Sequence, residues 1–170
     1  MKKLLLISVC LLSMVTLMAQ NHVPGTKVSY DFPRSGWKYL QTIEVDANTH
    51  VYLYSFCRQL VVDETGDTIL PNLRIYVRNN YEKPIFDLVM DRYMMNPYQS
   101  IEEYTDNLPA PGIGYKGIYQ SGDQKYYRFD MLYFKEKNTA FEFRLETTND
   151  TYEMMEDEFV QILNTIKIDK

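Results

Sequence analysis

Apolar and polar residues alternate along much of this chain, and such alternation is typical of strands with one buried face. It predicts a first strand over residues 28–32 and an antiparallel pair formed by 38–46 and 50–57. A short hairpin with an acidic, glycine-containing tip is predicted between residues 58 and 71, followed by a strand at 73–78. Three consecutive strands are predicted near the C-terminus: 113–120, 125–135 and 139–147.

The alternation in the C-terminal strands predicts which side chains lie on each face of the sheet. In the middle strand, an apolar face is opposed by Arg128 and Asp130. In the last strand, the residues predicted to face the core are Phe141, Phe143 and Leu145. Because neighbouring positions of a strand point to opposite sides, its charged residues are predicted to face outwards. These residues are Glu142, Arg144 and Glu146.

Three segments show helical spacing. Pro84 suits the first turn of a helix, and apolar residues recur every three or four positions over 85–93. The capping-box sequence at 100–103 predicts a short second helix that ends near Thr105. The last helix carries one apolar stripe, formed by Tyr152, Met155, Phe159, Ile162, Leu163 and Ile166. A meander of strands covered by helices defines an α+β fold with a central antiparallel β-sheet.

The first nineteen residues differ in character from the rest. Lys2 and Lys3 precede an apolar run over 4–17, and Ala19 supplies a small residue at a cleavage position. This arrangement is typical of a secretory signal peptide over residues 1–19, and it is short for a membrane span. A retained N-terminal anchor is the alternative. We therefore expect an exported protein, either periplasmic or extracellular.

Removal of this segment changes the chain that remains. Residues 20–26 are predicted to form a linker and 27–170 a single domain with no membrane span. Of 18 Lys+Arg residues, Lys2 and Lys3 are lost, which leaves 16 against 23 Asp+Glu and a net charge of −7. This acidic balance argues against nucleic acid as a partner, because phosphate binding needs a basic face.

Catalytic motifs are missing from the sequence. It contains no Gly-rich phosphate loop, no paired-Cys metal site and no nucleophile elbow. Cys57 remains as a single cysteine after signal removal, and it is interpreted either as a small buried hydrophobe or as a nucleophile. The second interpretation needs a base. His22 lies in the predicted linker, and His50 begins the strand that ends at Cys57, so a Cys–His pair is not expected.

Clustered carboxylates offer the best candidate for a metal site. Asp63, Glu64 and Asp67 surround the tip of the predicted hairpin, and hard cations prefer such oxygen ligands. A polar tip of this kind needs no metal, however, so we predict no metal and no cofactor. Asp157 and Glu158 are interpreted as solvated surface of the last helix rather than as an acid–base pair.

Tyrosine is the unusual feature of the composition, with 15 among 170 residues. Tyr52, Tyr54 and Phe56 share one strand face, which is interpreted either as a second buried layer or as an aromatic binding surface. The loop at 107–114 is apolar for a loop, and tyrosines flank it. The residues predicted to bind a ligand or partner are therefore Tyr98, Tyr104, Leu108, Ile113, Tyr115 and Tyr119.

Four segments carry a family resemblance. They are a first strand that runs into Phe32-Pro33-Arg34-Ser35-Gly36-Trp37, a central helix that ends in Ser100-Ile101-Glu102-Glu103-Tyr104, late strands around Gly122 and Tyr126-Tyr127, and a closing helix that ends over 159–168. Together they span residues 27–168, and the chain resembles the PsbP-like superfamily, named for an extrinsic subunit of photosystem II. The resemblance implies an α/β/α sandwich in an exported accessory protein. Metal sites of the photosynthetic members do not carry over, because their ligands have no counterparts in this sequence.

The function expected from these features is a non-enzymatic, exported binding or accessory module. Its partner would be another envelope protein or an extracellular ligand. The alternative is a small-molecule carrier with an aromatic pocket between the sheet and the helices, and an enzyme ranks third.

Overall fold

A seven-stranded antiparallel sheet forms the centre of the computed structural model, which describes residues 20–62, 66–95, 98–104, 108 and 111–170. The strands, in chain order, are β1 (Asn21–His22), β2 (Val28–Tyr30), β3 (Lys38–Asp46), β4 (Val51–Cys57), β5 (Val61–Val62), β6 (Thr68–Ile69), β7 (Asn72–Arg78), β8 (Tyr98–Tyr104), β9 (Gly112–Gln120), β10 (Tyr126–Glu136), β11 (Thr139–Thr148) and β12 (Lys167–Ile168). The helices are α1 (Ile85–Met95) and α2 (Tyr152–Thr165), and a 3₁₀ turn at Asn149–Thr151 precedes α2.

The order of strands in the large sheet is β3-β4-β7-β11-β10-β9-β8, and every neighbouring pair is antiparallel. Strands β5 and β6 form a separate hairpin whose tip lies outside the described residues. The helices α1 and α2 pack on opposite faces of the large sheet. The predicted α+β class, with a central antiparallel sheet flanked by helices, is therefore confirmed.

Residues 20–26 do not form the predicted linker. Asn21 and His22 pair with β2, Val23 is buried, and β2 also pairs with β12 near the C-terminus. The small sheet β1-β2-β12 packs beside α2, where Tyr30 meets Phe143 of the large sheet. This segment is folded onto the domain because the apolar side chain of Val23 is buried and the neighbouring backbone is paired with β2.

The predicted short helix at 100–105 is wrong over its described part. Tyr98–Tyr104 is strand β8, an edge strand paired with β9. A helix of about six residues is too short to be stable alone, because nucleation costs more than its few hydrogen bonds return. Pairing with β9 satisfies the backbone groups on one side of this edge strand and places Glu102 opposite Lys116. Long-range pairing therefore outweighs the local capping-box signal.

The two faces of the sheet carry separate cores. The α2 face holds a large aromatic cluster that includes Phe134, Phe141, Phe143 and Phe159, all fully buried. The α1 face holds a smaller cluster formed by Leu88, Val89, Tyr115, Phe129, Met131, Tyr133 and Ala140. Because α1 covers only part of its face, the charged side chains of the central strands fill much of the remaining space.

Candidate functional site

Two carboxylates lie buried on the α1 face, contrary to the prediction that they face solvent. Glu142 and Glu146 on β11 are each 2% exposed, and Arg144 between them is also largely buried. They are buried because β11 is central in the sheet and both of its faces are covered. The alternation of apolar and charged residues correctly separated the two faces, but it did not show that both are interior.

Arginines neutralise both carboxylates. Arg92 from α1 donates to Glu142 at 2.9 Å, and Arg144 donates to Glu146 at 2.8 Å. Arg74 on β7 reaches the second oxygen of Glu146 at 3.0 Å. A buried carboxylate is strongly unfavourable unless it is paired and hydrogen-bonded, so each partner is necessary for the fold. The network anchors the last turn of α1 to the sheet.

Tyrosines complete this network. The Tyr119 hydroxyl donates to Glu146 at 3.2 Å, and the Arg144 guanidinium lies 5.0 Å from the centre of the Tyr119 ring. Burial, together with the charge of Glu146, raises the pKa of Tyr119 to about 12. The hydroxyl therefore stays protonated and acts as a donor. The network consists of mutually satisfied groups, so it positions elements instead of offering a reactive acid or base.

A polar cavity of about 350 Å³ opens beside the network. Arg74, Glu146 and Asn72 lie at its base, and the stacked rings of Tyr119 and Tyr127 form one wall. Its volume falls near the lower limit of the roughly 300–1,000 Å³ range of small-molecule sites. Most of its charged groups are already paired within the protein.

A second polar cluster lies on the opposite face, beneath α2. Asp130 on β10 is fully buried, and the Tyr152 hydroxyl donates to it at 2.8 Å. The Lys116 ammonium lies 4.0 Å from its other oxygen and pairs with Glu156 at 2.9 Å. Burial raises the pKa of Asp130 to about 6, against which the Tyr152 hydrogen bond and the Lys116 charge act. Nothing in the sequence pattern distinguished this carboxyl from the other outward positions.

The exposed side of α1 is apolar. Phe86, Met90 and Met94 recur at intervals of four residues, and Tyr93 lies beside them. We call these four residues the α1 stripe. The helical spacing over residues 85–93 predicted one apolar side for this helix, although a second apolar series was visible at the same spacing. Tyr93, the last residue of that range, is nearly half exposed.

The six residues predicted to bind a partner do not form one site. Tyr98, Ile113, Tyr115 and Tyr119 pack on the α1 face, whereas Leu108 packs against the core beneath α2. Tyr104 points to the α2 face as well, because its ring covers Gly114 on the neighbouring strand. Their role in binding stays a prediction. Tyr98 approaches the α1 stripe, with its ring centre 6.1 Å from that of Tyr93.

The remaining candidates give little support to catalysis. Cys57 ends β4 and is partly buried, whereas His50 precedes the start of the same strand. Asp63 and Glu64 lie outside the described residues, and within the described ones no group of three or more His, Cys, Asp or Glu side chains could hold a metal ion. Glu158, predicted to be solvated, is buried and accepts hydrogen bonds from Trp37 and Arg58.

An aromatic cavity of about 260 Å³ lies between β1–β2 and the large sheet. Its lining includes Tyr30, Tyr39, Tyr54 and Phe56. Tyr54 and Phe56 belong to the aromatic face noted in the sequence, and they are partly buried. Their partial burial agrees with a second buried layer, and the interpretation as a binding surface stays a prediction.

Comparisons with known proteins identify the fold and not a family. No family model matches the chain, and no curated protein matches it. LpqN of Mycobacterium tuberculosis, involved in cell envelope biogenesis, superimposes with a TM-score of 0.53 at 12% identity, over 88% of each chain. A protein of Bacteroides thetaiotaomicron VPI-5482 superimposes with a TM-score of 0.50 at 16% identity, over 89% of this chain.

At such identities the likeness concerns the fold alone. The alignment covers 48% of the Bacteroides protein, so this chain spans about half of its length. The resemblance to the PsbP-like superfamily has no support from a family match and stays a prediction. No helix within the described ranges is both long and apolar enough to cross a membrane.

Proposed function

We propose that this protein is an exported, non-enzymatic module that binds another envelope protein through the α1 stripe. The observation that carries the proposal is the exposure of four large apolar side chains on one side of an eleven-residue helix. An accessory role at the envelope agrees with the involvement of LpqN, a protein of the same fold, in cell envelope biogenesis. Signal-dependent export through residues 1–19, outside the described residues, belongs to this proposal.

The fold does not need the α1 stripe. The inner side of α1 already packs through Leu88 and Val89, and Arg92 ties the helix to Glu142. A contiguous group of exposed apolar side chains usually marks an interaction surface, whereas single exposed apolar residues are normal. Full burial of one such side chain contributes about 1.5–3 kcal/mol, so the stripe can contribute substantially to binding. Methionine also adapts its shape to a partner.

Charge beside the stripe indicates the kind of partner. Asp87 and Asp91 are exposed and follow one border of the stripe at an interval of four residues. A second copy that packed antiparallel on the same stripe by two-fold symmetry would bring these carboxylates to the same side as their own equivalents, which is unfavourable. The surface therefore suits a different protein, one with an apolar groove bordered by basic residues.

A photo-crosslinking amino acid at position 94 tests this proposal in intact cells. Position 154 is the matched control, because Met154 is a 61% exposed methionine on α2 and Met94 is 79% exposed on α1. We expect one envelope protein to crosslink at position 94 and not at position 154. The adduct should be lost in Met90→Glu and weakened in Asp87→Lys, but retained in Glu153→Lys on α2.

The folding of each variant is checked by thermal melting, since exposed substitutions normally change stability by no more than about 0.5 kcal/mol. Equal crosslinking at positions 94 and 154, an adduct between two copies of the chain, or indifference to Met90→Glu would contradict the proposal.

A carrier is the second candidate, and the 260 Å³ aromatic cavity is the observation that favours it. Aromatic residues of the chain fill most of the core between α2 and the large sheet. A cavity of about 170 Å³ remains beside Tyr152 and Glu156, but it is smaller than the aromatic cavity and charged side chains contribute to its lining. Native mass spectrometry of the exported protein tests this alternative. A co-purifying small molecule that is lost in Tyr54→Ala would favour the carrier, whereas bare protein would count against it.

A further inference from the structure

The two edges of the large sheet differ in how they are protected. At the β8 edge, the apolar residues are partly buried and the exposed positions include Glu102 and Glu103. At the β3 edge, eight consecutive residues are exposed. Four of them are large and apolar, with exposures between 41% and 57%: Tyr39, Leu40, Ile43 and Val45. Natural proteins normally protect a long edge of this kind, because its unpaired backbone groups accept another strand.

The backbone of β3 leaves a regular stretch available for pairing. β3 pairs with β4 on one side, and no described strand lies on its other side. Register shifts fall between Tyr39 and Gln41 and between Glu44 and Asp46, so they flank the stretch 41–44. They are placed almost symmetrically about the middle of the strand. A second β3 that runs antiparallel would therefore meet regular backbone at the centre and irregular backbone at both ends.

The charges of β3 are complementary to those of its own copy. Lys38 lies at one end of the strand, whereas Glu44 and Asp46 lie at the other. In an antiparallel pair centred on Thr42, Lys38 of each copy faces the acidic end of the other, and Tyr39 faces Val45. The same operation on β8, centred on Ile101, would place Glu102 and Glu103 opposite Ser100 and Gln99, so no cation on that strand would balance the carboxylates.

We propose that two copies of this chain associate through β3, antiparallel and about a two-fold axis near Thr42, so that their seven-stranded sheets become one continuous sheet. Because the axis is two-fold, each copy contributes the same strand to the interface. Main-chain hydrogen bonds between the two β3 strands hold the copies together. The α1 stripe lies on a helix that packs on β10, four strands away from β3, so both surfaces can be occupied together.

Disulfide trapping tests the arrangement. Directly opposed residues of an antiparallel pair have Cα atoms about 4.5–5.5 Å apart, which is within the range that a disulfide spans. In a full-length chain with Cys10 and Cys57 replaced by serine, Thr42→Cys is expected to form a covalent dimer under mild oxidation. Glu102→Cys, exposed on the opposite edge of the same sheet, is the matched control and should stay monomeric.

Sedimentation of the unmodified protein provides the second measurement. We expect a concentration-dependent dimer whose dissociation constant rises at least tenfold in Ile43→Lys, while Glu102→Lys leaves it unchanged. A monomer at all concentrations without a Thr42→Cys disulfide would overturn the proposal. Equal trapping at positions 42 and 102, or a dimer that persists in Ile43→Lys, would also overturn it. Thermal melting shows whether Ile43→Lys is folded, and the trapping experiment does not depend on that variant.

Discussion

Replacement of Asp130 by asparagine should change how the stability of this protein depends on pH. Asp130 is fully buried on β10, and burial raises its pKa from 3.8 to about 6. The groups around it are Tyr152 and Glu156 of α2, Lys116 of β9 and Arg128 of its own strand. A raised pKa in the folded state means that the fold favours the neutral carboxyl. Its contribution to stability is therefore present below pH 4 and is lost as the pH rises through 6.

The size of the effect follows from the shift. The folded and unfolded pKa values differ by about 2 units, and each unit corresponds to about 1.36 kcal/mol, so the full effect is about 3 kcal/mol. Asparagine has nearly the same shape and keeps an oxygen that accepts from Tyr152, but it carries no charge. The free energy of unfolding of Asp130→Asn, relative to wild type, should therefore rise by about 3 kcal/mol between pH 3 and pH 7.

Urea unfolding of both proteins at intervals across this pH range measures the difference directly. The other carboxyl groups titrate in both proteins and largely cancel in the comparison. A carbon-detected NMR titration of the Asp130 carboxyl supplies an independent midpoint, expected near pH 6. In Tyr152→Phe the midpoint should move higher, because the hydrogen bond that stabilises the carboxylate is lost. A difference in stability that does not change with pH, or a midpoint near 4, would refute the reasoning.

Two further predictions each compare one variant with a control variant. A Cβ on Gly117 would lie 2.5 Å from the backbone oxygen of Ser100, so Gly117→Ala should lower the free energy of unfolding by about 1–3 kcal/mol. Gly122→Ala meets nothing within 4 Å and should have little effect in the same urea titration. Glu158→Ala removes the acceptor of the Arg58 and Trp37 hydrogen bonds and should cost roughly 3 kcal/mol. Asp157→Ala, on the exposed side of α2, should change the thermal midpoint little, and equal losses in the two variants would be inconsistent with a buried role for Glu158.

Most of the secondary structure follows from local periodicity. Alternation predicted β3, β4, β7 and β9 to β11 with bounds within one or two residues, and the stripe from Tyr152 to Ile166 predicted α2. The error at β8 has a clear cause. Its apolar residues Ile101 and Tyr104 are three positions apart, a spacing compatible with a helix, and the capping-box residues strengthened that interpretation. The edge of β9, which decides the outcome, is contributed by the following strand and is not visible in the spacing within residues 100–105.

The charged residues show a different limit. Glu142 and Asp130 were correctly placed on strand faces opposite the apolar series, yet both are buried. Alternation reports which side of a strand a residue occupies, and it cannot report whether a second helix covers that side. The α1 stripe was available in the sequence as Phe86, Met90 and Met94 at helical spacing, but only the packed position of α1 shows which of its two apolar sides stays exposed.

The predicted export signal, the acidic charge and the α+β class all come from features that lie close together along the chain. They depend on composition and on side-chain periodicity, which local backbone geometry imposes. The order of the strands, the ion pairs of Glu142 and Glu146, and the raised pKa of Asp130 required the folded molecule. Arg92 with Glu142 and Arg74 with Glu146 are far apart in sequence, and burial on both faces of the sheet is created by all the elements together. The candidate binding surfaces are, for the same reason, what the packed elements leave exposed: the outer side of α1 and the edge strand β3.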